Sequence, residues 1–477
     1  MLATNNRSMK YNLIFFTIDA FRHDHFLEKY LPNIVKFSKN AFIFNNAFAN
    51  GPWTPPSFNS IMTSTYPFMY KDYSPLPKQK VTITEKLKEK GYSTLCINSN
   101  TYTSGFFNFD RGFDEYIEIG EMGTLFKIMV AARDFIARFI PKSGKILRIF
   151  DILDKVNDSK DTASMMKLNA DDILKRARLW MKQVRGNFFA WTHFMDSHSP
   201  YNVPDKYVKG INPDMSPKRI TMLNRIHRML NRTSEHEPLK RRSPAVEELM
   251  DLYRAALLFI DDEFRKHVNY LKNAGFLENT IIMITGDHGE LFMEHGFIEH
   301  PARMYDELLH VPLVLYLPPS LQARFGNPRT IERHIDLLHI APTLLDVMGI
   351  ESPDSFVGRS LAPLFHGEGE TSYFPIISQT YKKKNNRKTI ESSNVDQLIA
   401  IRTKKWKYIH DTAGPEHCML FRLEPEINED LNLVEEMRDV AGFFKERAEA
   451  ILKNDYNMES GGREKLKIYK AIRKTKL

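Results

Sequence analysis

Cysteine is nearly missing: Cys96 and Cys418 are the two among 477 residues. A disulfide framework and a four-cysteine zinc site are therefore excluded, and the count favours a reducing compartment. Long hydrophobic runs are missing too. The opening Met1 to Lys10 is polar, and the apolar run Leu13 to Ile18 after it is far shorter than a secretory core or a membrane span. A cytoplasmic location without an export signal is the expectation. No internal repeat, long low-complexity tract or nucleic-acid reader motif is found, so nucleic acid is not an expected partner. What is present is ordinary for a folded protein, with 42% hydrophobic and 26% charged residues. A net charge of +8 favours anionic partners in general without choosing among them.

Short runs rich in β-branched and aromatic residues predict strands at Asn12 to Ile18, Ser93 to Ile97, Phe188 to Phe194, Thr280 to Thr285 and Val311 to Leu317. Helical periodicity lies between them, over Val81 to Lys90, Asp172 to Val184 and about Ala245 to Ala274. That alternation predicts an α/β fold, a mostly parallel central sheet flanked by helices. A helix is expected over Ile335 to Val347. After Gly349 and Pro353 break the pattern, a small α+β subdomain is expected from about Tyr373, with a hairpin at Leu398 to Arg402 and Lys405 to Ile409 and a helix over Asn432 to Lys453. The expected division is a catalytic domain over 11–350, an antiparallel-sheet subdomain over 373–455 and a basic tail over 456–477.

Two insertions interrupt the large domain. The stretch from about 120 to 160 interleaves Phe126, Met129, Phe135, Phe139 and Ile146 with Arg133, Arg138, Lys142, Lys145 and Arg148. It is read as a helical insertion packed on the domain, with contact to an anionic membrane surface as the less favoured reading. The stretch from about 210 to 245 is polar, basic and broken by prolines. It is expected to be a second helical insertion, flexible and near the mouth of the site, with a substrate-gripping lid as the alternative.

In parallel sheets, ligands gather outside the carboxyl ends of the strands. Four predicted strand ends carry metal- or anion-competent groups: Asp19, Asn98 with Asn100, Asp196 with His198, and Asp287 with His288. Asp287 and His288 combine a hard oxygen with a borderline nitrogen, a mixture suited to Zn or Mn and less natural for Ca. In Gly51 to Ser64, Thr54-Pro55-Pro56 reads as a helix opening with Thr54 as N-cap. A hydroxyl there sits beside unpaired N–H groups, where a phosphoryl or sulfuryl oxygen also binds. Coordination to a metal is the plausible way to activate so weak a nucleophile.

These residues resemble the sulfatase family within the alkaline-phosphatase superfamily, over about Asn12 to Leu433. The likeness rests on five segments in order: Ile18-Asp19-Ala20-Phe21-Arg22-His23-Asp24; Thr54 to Ser64, similar to Cys/Ser-x-Pro-Ser-Arg-x-x-x-x-Thr-Gly; His193 to Tyr201; Gly286 to Glu290 with Glu294-His295-Gly296; and Tyr305 to Leu313 with Arg402 and Trp406-Lys407-Tyr408. Three departures matter. Thr54 stands where sulfatases carry the Cys or Ser that becomes formylglycine, Phe58 replaces the arginine that supports it, and Ala20 replaces a second aspartate.

The resemblance implies a metal-dependent hydrolase of sulfate or phosphate esters. The threonine favours phosphate mono- or diesters through a covalent threonyl ester, as in superfamily phosphodiesterases and phosphotransferases with a threonine nucleophile. It further implies one divalent ion, Mn or Zn before Ca or Mg, held by Asp19, Thr54, Asp287 and His288. His198 and His300 are expected to bind the non-bridging oxygens or protonate the leaving group, and Asn100 to add a hydrogen bond. Asp196 is weighed as a ligand to a second ion, and His23, His25, His193 and His295 are expected to be structural. The expected partner is a small anionic ester or an esterified glycan or lipid head group. A sulfuric ester hydrolase without formylglycine, a phosphotransferase and a decayed binding module are the alternatives.

Overall fold

The computed structural model describes residues 11–71, 73–118, 168–234, 238–239, 243–367, 375–382, 395–427 and 429–455. The insertion expected over 120–160 and the tail over 456–477 lie outside these residues. Among the described residues eleven strands precede the C-terminal region: β1 Asn12–Ile18, β2 Phe42–Phe48, β3 Ser93–Ile97, β4 Glu115–Ile117, β5 Phe188–Phe194, β6 Thr280–Gly286, β7 Leu291–Phe292, β8 Ile298–Glu299, β9 His310–Tyr316, β10 Thr330–Ile331 and β11 Ile335–Asp336. The main sheet runs β10, β2, β9, β6, β1, β5, β3, β4, with β11 also on β2, while β7 and β8 form a separate pair. From β6 to β4 every pairing is parallel; β9 runs antiparallel to both β6 and β2.

The central strands are buried along their whole length because both faces are covered. In β1 the faces alternate as a two-residue period requires. Leu13 and Phe15 enter a core shared with Phe58, Ile83 and Leu344, whereas Ile14, Phe16 and Ile18 enter one shared with Ile34, Ile173 and Leu252. Helix Thr54–Thr63 belongs to the first layer, and helices Ala170–Met181 and Ala245–Asn273 to the second.

Four more strands, β12 Ile376–Lys382, β13 Asp396–Arg402, β14 Trp406–Asp411 and β15 Met419–Arg422, form an antiparallel sheet in sequential order. Helix Arg438–Asp455 packs Phe444, Ala448 and Ile451 onto Ile399, Ile401 and Tyr408. This sheet clamps the approach to helix Thr54–Thr63. Gln379 N–H donates to Asn50 O (2.8 Å), Asn50 Nδ2 to Ile377 O (2.9 Å), and Trp53 Nε1 to Thr380 Oγ1 (2.9 Å).

The insertion expected near 210–245 holds helix Pro217–Ser234, whose Leu223 and His227 are buried. Two helix starts differ from the sequence reading. The helix expected from Ile335 begins at Ile340, after β11 and a 3₁₀ turn, because Ile335 and Asp336 are drawn into parallel pairing with Ala47 and Phe48. The last helix starts at Arg438 rather than Asn432, whose side chain instead accepts from Leu420 N–H (2.9 Å) and ties the loop to β15.

Candidate active site

β1 ends at Ile18, so Asp19 is the first residue off the sheet; its N–H donates to Phe194 O (2.9 Å), and Ser197 Oγ donates to its carbonyl (2.6 Å). Ala20 then turns the chain at φ 57°, where Tyr253 Oη donates to its carbonyl (2.9 Å). β6 delivers Asp287 and His288 beside it. Their side chains reach one point because His288 Nδ1–H donates to Gly289 O (2.7 Å), which turns Nε2 inward as a lone-pair donor. Gly289 has no room for a side chain, since a Cβ would lie 1.9 Å from Glu307 O.

Thr54 is the first residue of its helix and Trp53 is the cap residue, so the expected capping role of the Thr54 hydroxyl is corrected. With the two prolines following, that hydroxyl is not spent on the helix. It stands 3.3 Å from His288 Nε2 and 3.5 Å from Asp19 Oδ2, and accepts from Asn100 Nδ2 (3.2 Å). The same Asn100 amide also donates to Asp19 Oδ2 (2.9 Å). Ser57 Oγ donates to Asp287 O (2.5 Å), locking helix Thr54–Thr63 to the end of β6.

The donor set fits a divalent cation. Asp19 Oδ1 and Asp287 Oδ2 are buried without a hydrogen-bond partner, and His288 Nε2 lies 3.6 Å and 3.5 Å from them. Ligand bonds of 2.0–2.2 Å put neighbouring ligand atoms about 2.8–3.6 Å apart, which these spacings match. The electrostatics ask for positive charge. Burial alone raises the Asp19 carboxyl, yet the His198, His193 and His288 imidazoles override it and hold it well below the usual carboxylate range. Burial and the charge of Asp19 push the Asp287 carboxyl well above that range. Two carboxylates that cannot both ionise cheaply are what a cation relieves.

His198 and His300 are half-buried beside this cluster. Their rings are 5.0 Å apart at 65°, and His300 lies 4.7 Å from the His288 ring. Nδ1–H of His198 donates to Ser199 O (2.5 Å). The seven residues singled out from sequence thus converge. Asp196 does not join: its Oδ1 accepts from Ala170 N–H (3.4 Å), and it belongs to none of the close His/Asp/Glu groups found among the described residues. His193, set aside as structural, does join. Its Nε2 is 3.2 Å from Asp19 Oδ2, and it forms a compact group with Asp19 and Asp287. Its position within a buried strand gave no local signal; only its place two residues after Trp191 on one sheet face hints at a shared environment.

A family model described as Sulfatase matches residues 12–350, and one described as N-sulphoglucosamine sulphohydrolase, C-terminal, matches residues 293–453. Arylsulfatase K of Bos taurus is 22% identical over 463 residues, 88% of this chain and 77% of that protein. N-acetylglucosamine-6-O-sulfatase of Bacteroides thetaiotaomicron is 32% identical over 164 residues, which span 34% of this chain and only 28% of that enzyme. Among solved structures, the phosphonate monoester hydrolase of Agrobacterium radiobacter superposes with a TM-score of 0.70 at 18% identity, covering 94% of this chain and 96% of that one. A structure in complex with its substrate D-glucosamine-2-N,6-O-disulfate gives 0.68 at 17% identity, covering 98% and 100%. At such identities the likeness is one of fold.

Proposed function

Since the chain belongs to the sulfatase family, we propose that it is a metal-dependent ester hydrolase that uses the unmodified Thr54 hydroxyl, and that phosphate mono- or diesters are its substrates. One observation carries this reading: the Thr54 oxygen shares a pocket with two unpaired carboxylate oxygens and the inward nitrogen of His288. Asp19, Asp287, His288 and Thr54 would hold the ion, with Mn or Zn preferred for the mixed oxygen and nitrogen donors. A divalent cation there lowers the pKa of a neighbouring hydroxyl and offsets charge on the ester oxygens.

The chain's own residues do the rest. Asn100 orients the Thr54 oxygen, which gives up its proton to solvent and attacks phosphorus as the bond to the in-line leaving oxygen breaks. His198 and His300 take the non-bridging oxygens and supply the proton that the leaving alkoxide needs. The resulting threonyl phosphoester is then released to water. Relatives named for sulfated sugars support an esterified glycan as substrate, with Arylsulfatase K supporting the sulfuric-ester alternative. Two buried free cysteines support a reducing, cytoplasmic setting; among the described residues no helix is long and apolar enough to cross a membrane.

The test is one preparation loaded with Mn or Zn and assayed on p-nitrophenyl phosphate, bis-p-nitrophenyl phosphate and p-nitrophenyl sulfate. The expected result is phosphoester turnover that chelator abolishes and that Thr54→Ala lowers by at least about a thousandfold. Preference for the sulfate ester would move the protein to the arylsulfatase reading. An unaffected Thr54→Ala would remove the nucleophile.

A further inference from the structure

β1 and β5 lie side by side in parallel register, with Phe15 opposite Trp191 and Thr17 opposite His193. These side chains face the layer that holds Phe58, whose ring lies 5.0 Å from both the Trp191 and His193 rings. Thr17, Trp191, His193, Asp19 and Phe58 are all sealed from solvent. In such a place every polar hydrogen needs an acceptor, so donor directions can be deduced.

The Trp191 indole is a donor only, and its Nε1–H is 2.9 Å from Thr17 Oγ1. Thr17 thus accepts there and has its own proton to give. His193 Nδ1 lies 2.8 Å away, while the alternative acceptor, Thr192 O, is at 3.4 Å. If Thr17 donates to Nδ1, the neutral imidazole carries its hydrogen on Nε2, which faces Asp19 Oδ2 at 3.2 Å. The donors then run one way, from indole to hydroxyl to imidazole to carboxylate.

Asp19 is held asymmetrically as a result. Its Oδ2 accepts from His193 and from Asn100 (2.9 Å), while Oδ1 has no partner and faces His288 Nε2 at 3.6 Å. We propose that Trp191, Thr17 and His193 are a positioning relay that fixes Asp19 as a ligand through Oδ1 alone, with Phe58 closing the relay from water. His193 acts through Asp19 and does not itself bind the cation. This inference rests on the proposed metal site and extends it to residues outside the ligand set. It also gives Phe58 a role: an aromatic ring there seals an imidazole that must stay dry.

The full-length chain and its variants are tested by equilibrium dialysis against Mn(II), with thermal unfolding of the metal-free proteins as a folding control. Outer hydrogen-bond partners of metal ligands change affinity by about 10–100-fold, so His193→Leu and Thr17→Val are expected to weaken Mn(II) binding by that factor. His193→Gln, whose side-chain amide can still donate to Asp19, and Thr17→Ser, which keeps the hydroxyl, are expected to stay close to wild type. Thr17 is remote from the cation, so a loss in Thr17→Val restored by Thr17→Ser reports on the relay and not on a missing ligand. Unchanged Mn(II) affinity in Thr17→Val and His193→Leu overturns the relay while the metal site stands. Equal loss in His193→Gln and His193→Leu overturns it in favour of His193 as a direct ligand. A wild-type chain that takes up no divalent ion overturns the metal reading and the relay together.

Discussion

Asn100 shows how much one amide can do. A single Nδ2 group serves both Thr54 Oγ1 and Asp19 Oδ2, so Asn100→Leu leaves a buried carboxylate short of a donor and the hydroxyl unoriented. Hydrogen bonds to charged groups are worth about 1.5–3 kcal/mol, so kcat/KM on the best ester is expected to fall roughly ten- to hundredfold, with Thr54 intact. Steady-state kinetics on the variant check this; a fall in KM alone would contradict it. The residues Asp19, Asn100, Asp287 and His288 were legible in sequence because each follows an apolar run, where a polar side chain has left the sheet. His193 was not, because a histidine two residues inside such a run looks like core, and its partner Asp19 is 174 residues away.

At the scale of elements, the turn after β6 is the tightest constraint on the site. Gly289→Ala forces a Cβ into Glu307 O, and the Gly289 carbonyl that orients His288 must shift with it. Overpacking of this kind costs about 1–3 kcal/mol. Lower thermal stability together with weakened divalent-ion binding is expected, measured on the same samples; a stable variant that binds metal normally would show the turn to be slack.

The long helix Ala245–Asn273 makes a separate prediction. It buries His267 against Phe16, at 5.6 Å between rings, and neither ring nitrogen has a hydrogen-bond partner. Burial, with a smaller contribution from Arg178, pushes this imidazole down from 6.5 to about 3. The unfolded chain therefore binds a proton near pH 6.5 that the folded chain refuses, and stability is lost as pH falls through that range. At pH 5 the loss from this group is about 2 kcal/mol. His267→Phe is expected to flatten the decline in unfolding midpoint between pH 7.5 and pH 5; an unchanged slope would assign the acid sensitivity elsewhere. The helix itself was visible from its periodicity.

Across the whole molecule, the small sheet is fastened to the large one by buried charge. Lys407, with a fully buried side chain, pairs with Asp306 Oδ1 (2.8 Å) and Glu429 Oε1 (2.6 Å), and Arg402 pairs with Asp306 Oδ2 (2.9 Å) while lying 4.1 Å over the Phe48 ring. Despite its burial, the Asp306 carboxyl is held far below the usual range by Arg402 and Lys407. Removing one partner of such a pair strands the others, at a cost of about 3–5 kcal/mol. Asp306→Ala is expected to lower the denaturation midpoint accordingly and, because β12 grips the loop before Thr54, to reduce ester turnover as well. Loss of stability without loss of turnover would separate the clamp from the site.

Local composition settled the strand-helix alternation, the identity of the groups at the strand ends and the absence of a disulfide scaffold, since each depends on residues within a turn or two of one another. Tertiary structure alone decided that β9 enters antiparallel between β6 and β2, that Thr17 meets His193 across the β1/β5 register, and which oxygen of Asp19 is left without a partner. Those outcomes rest on hydrogen bonds and packing between segments far apart in the chain, and side-chain pairing at such separations leaves no periodic trace in the order of the amino acids.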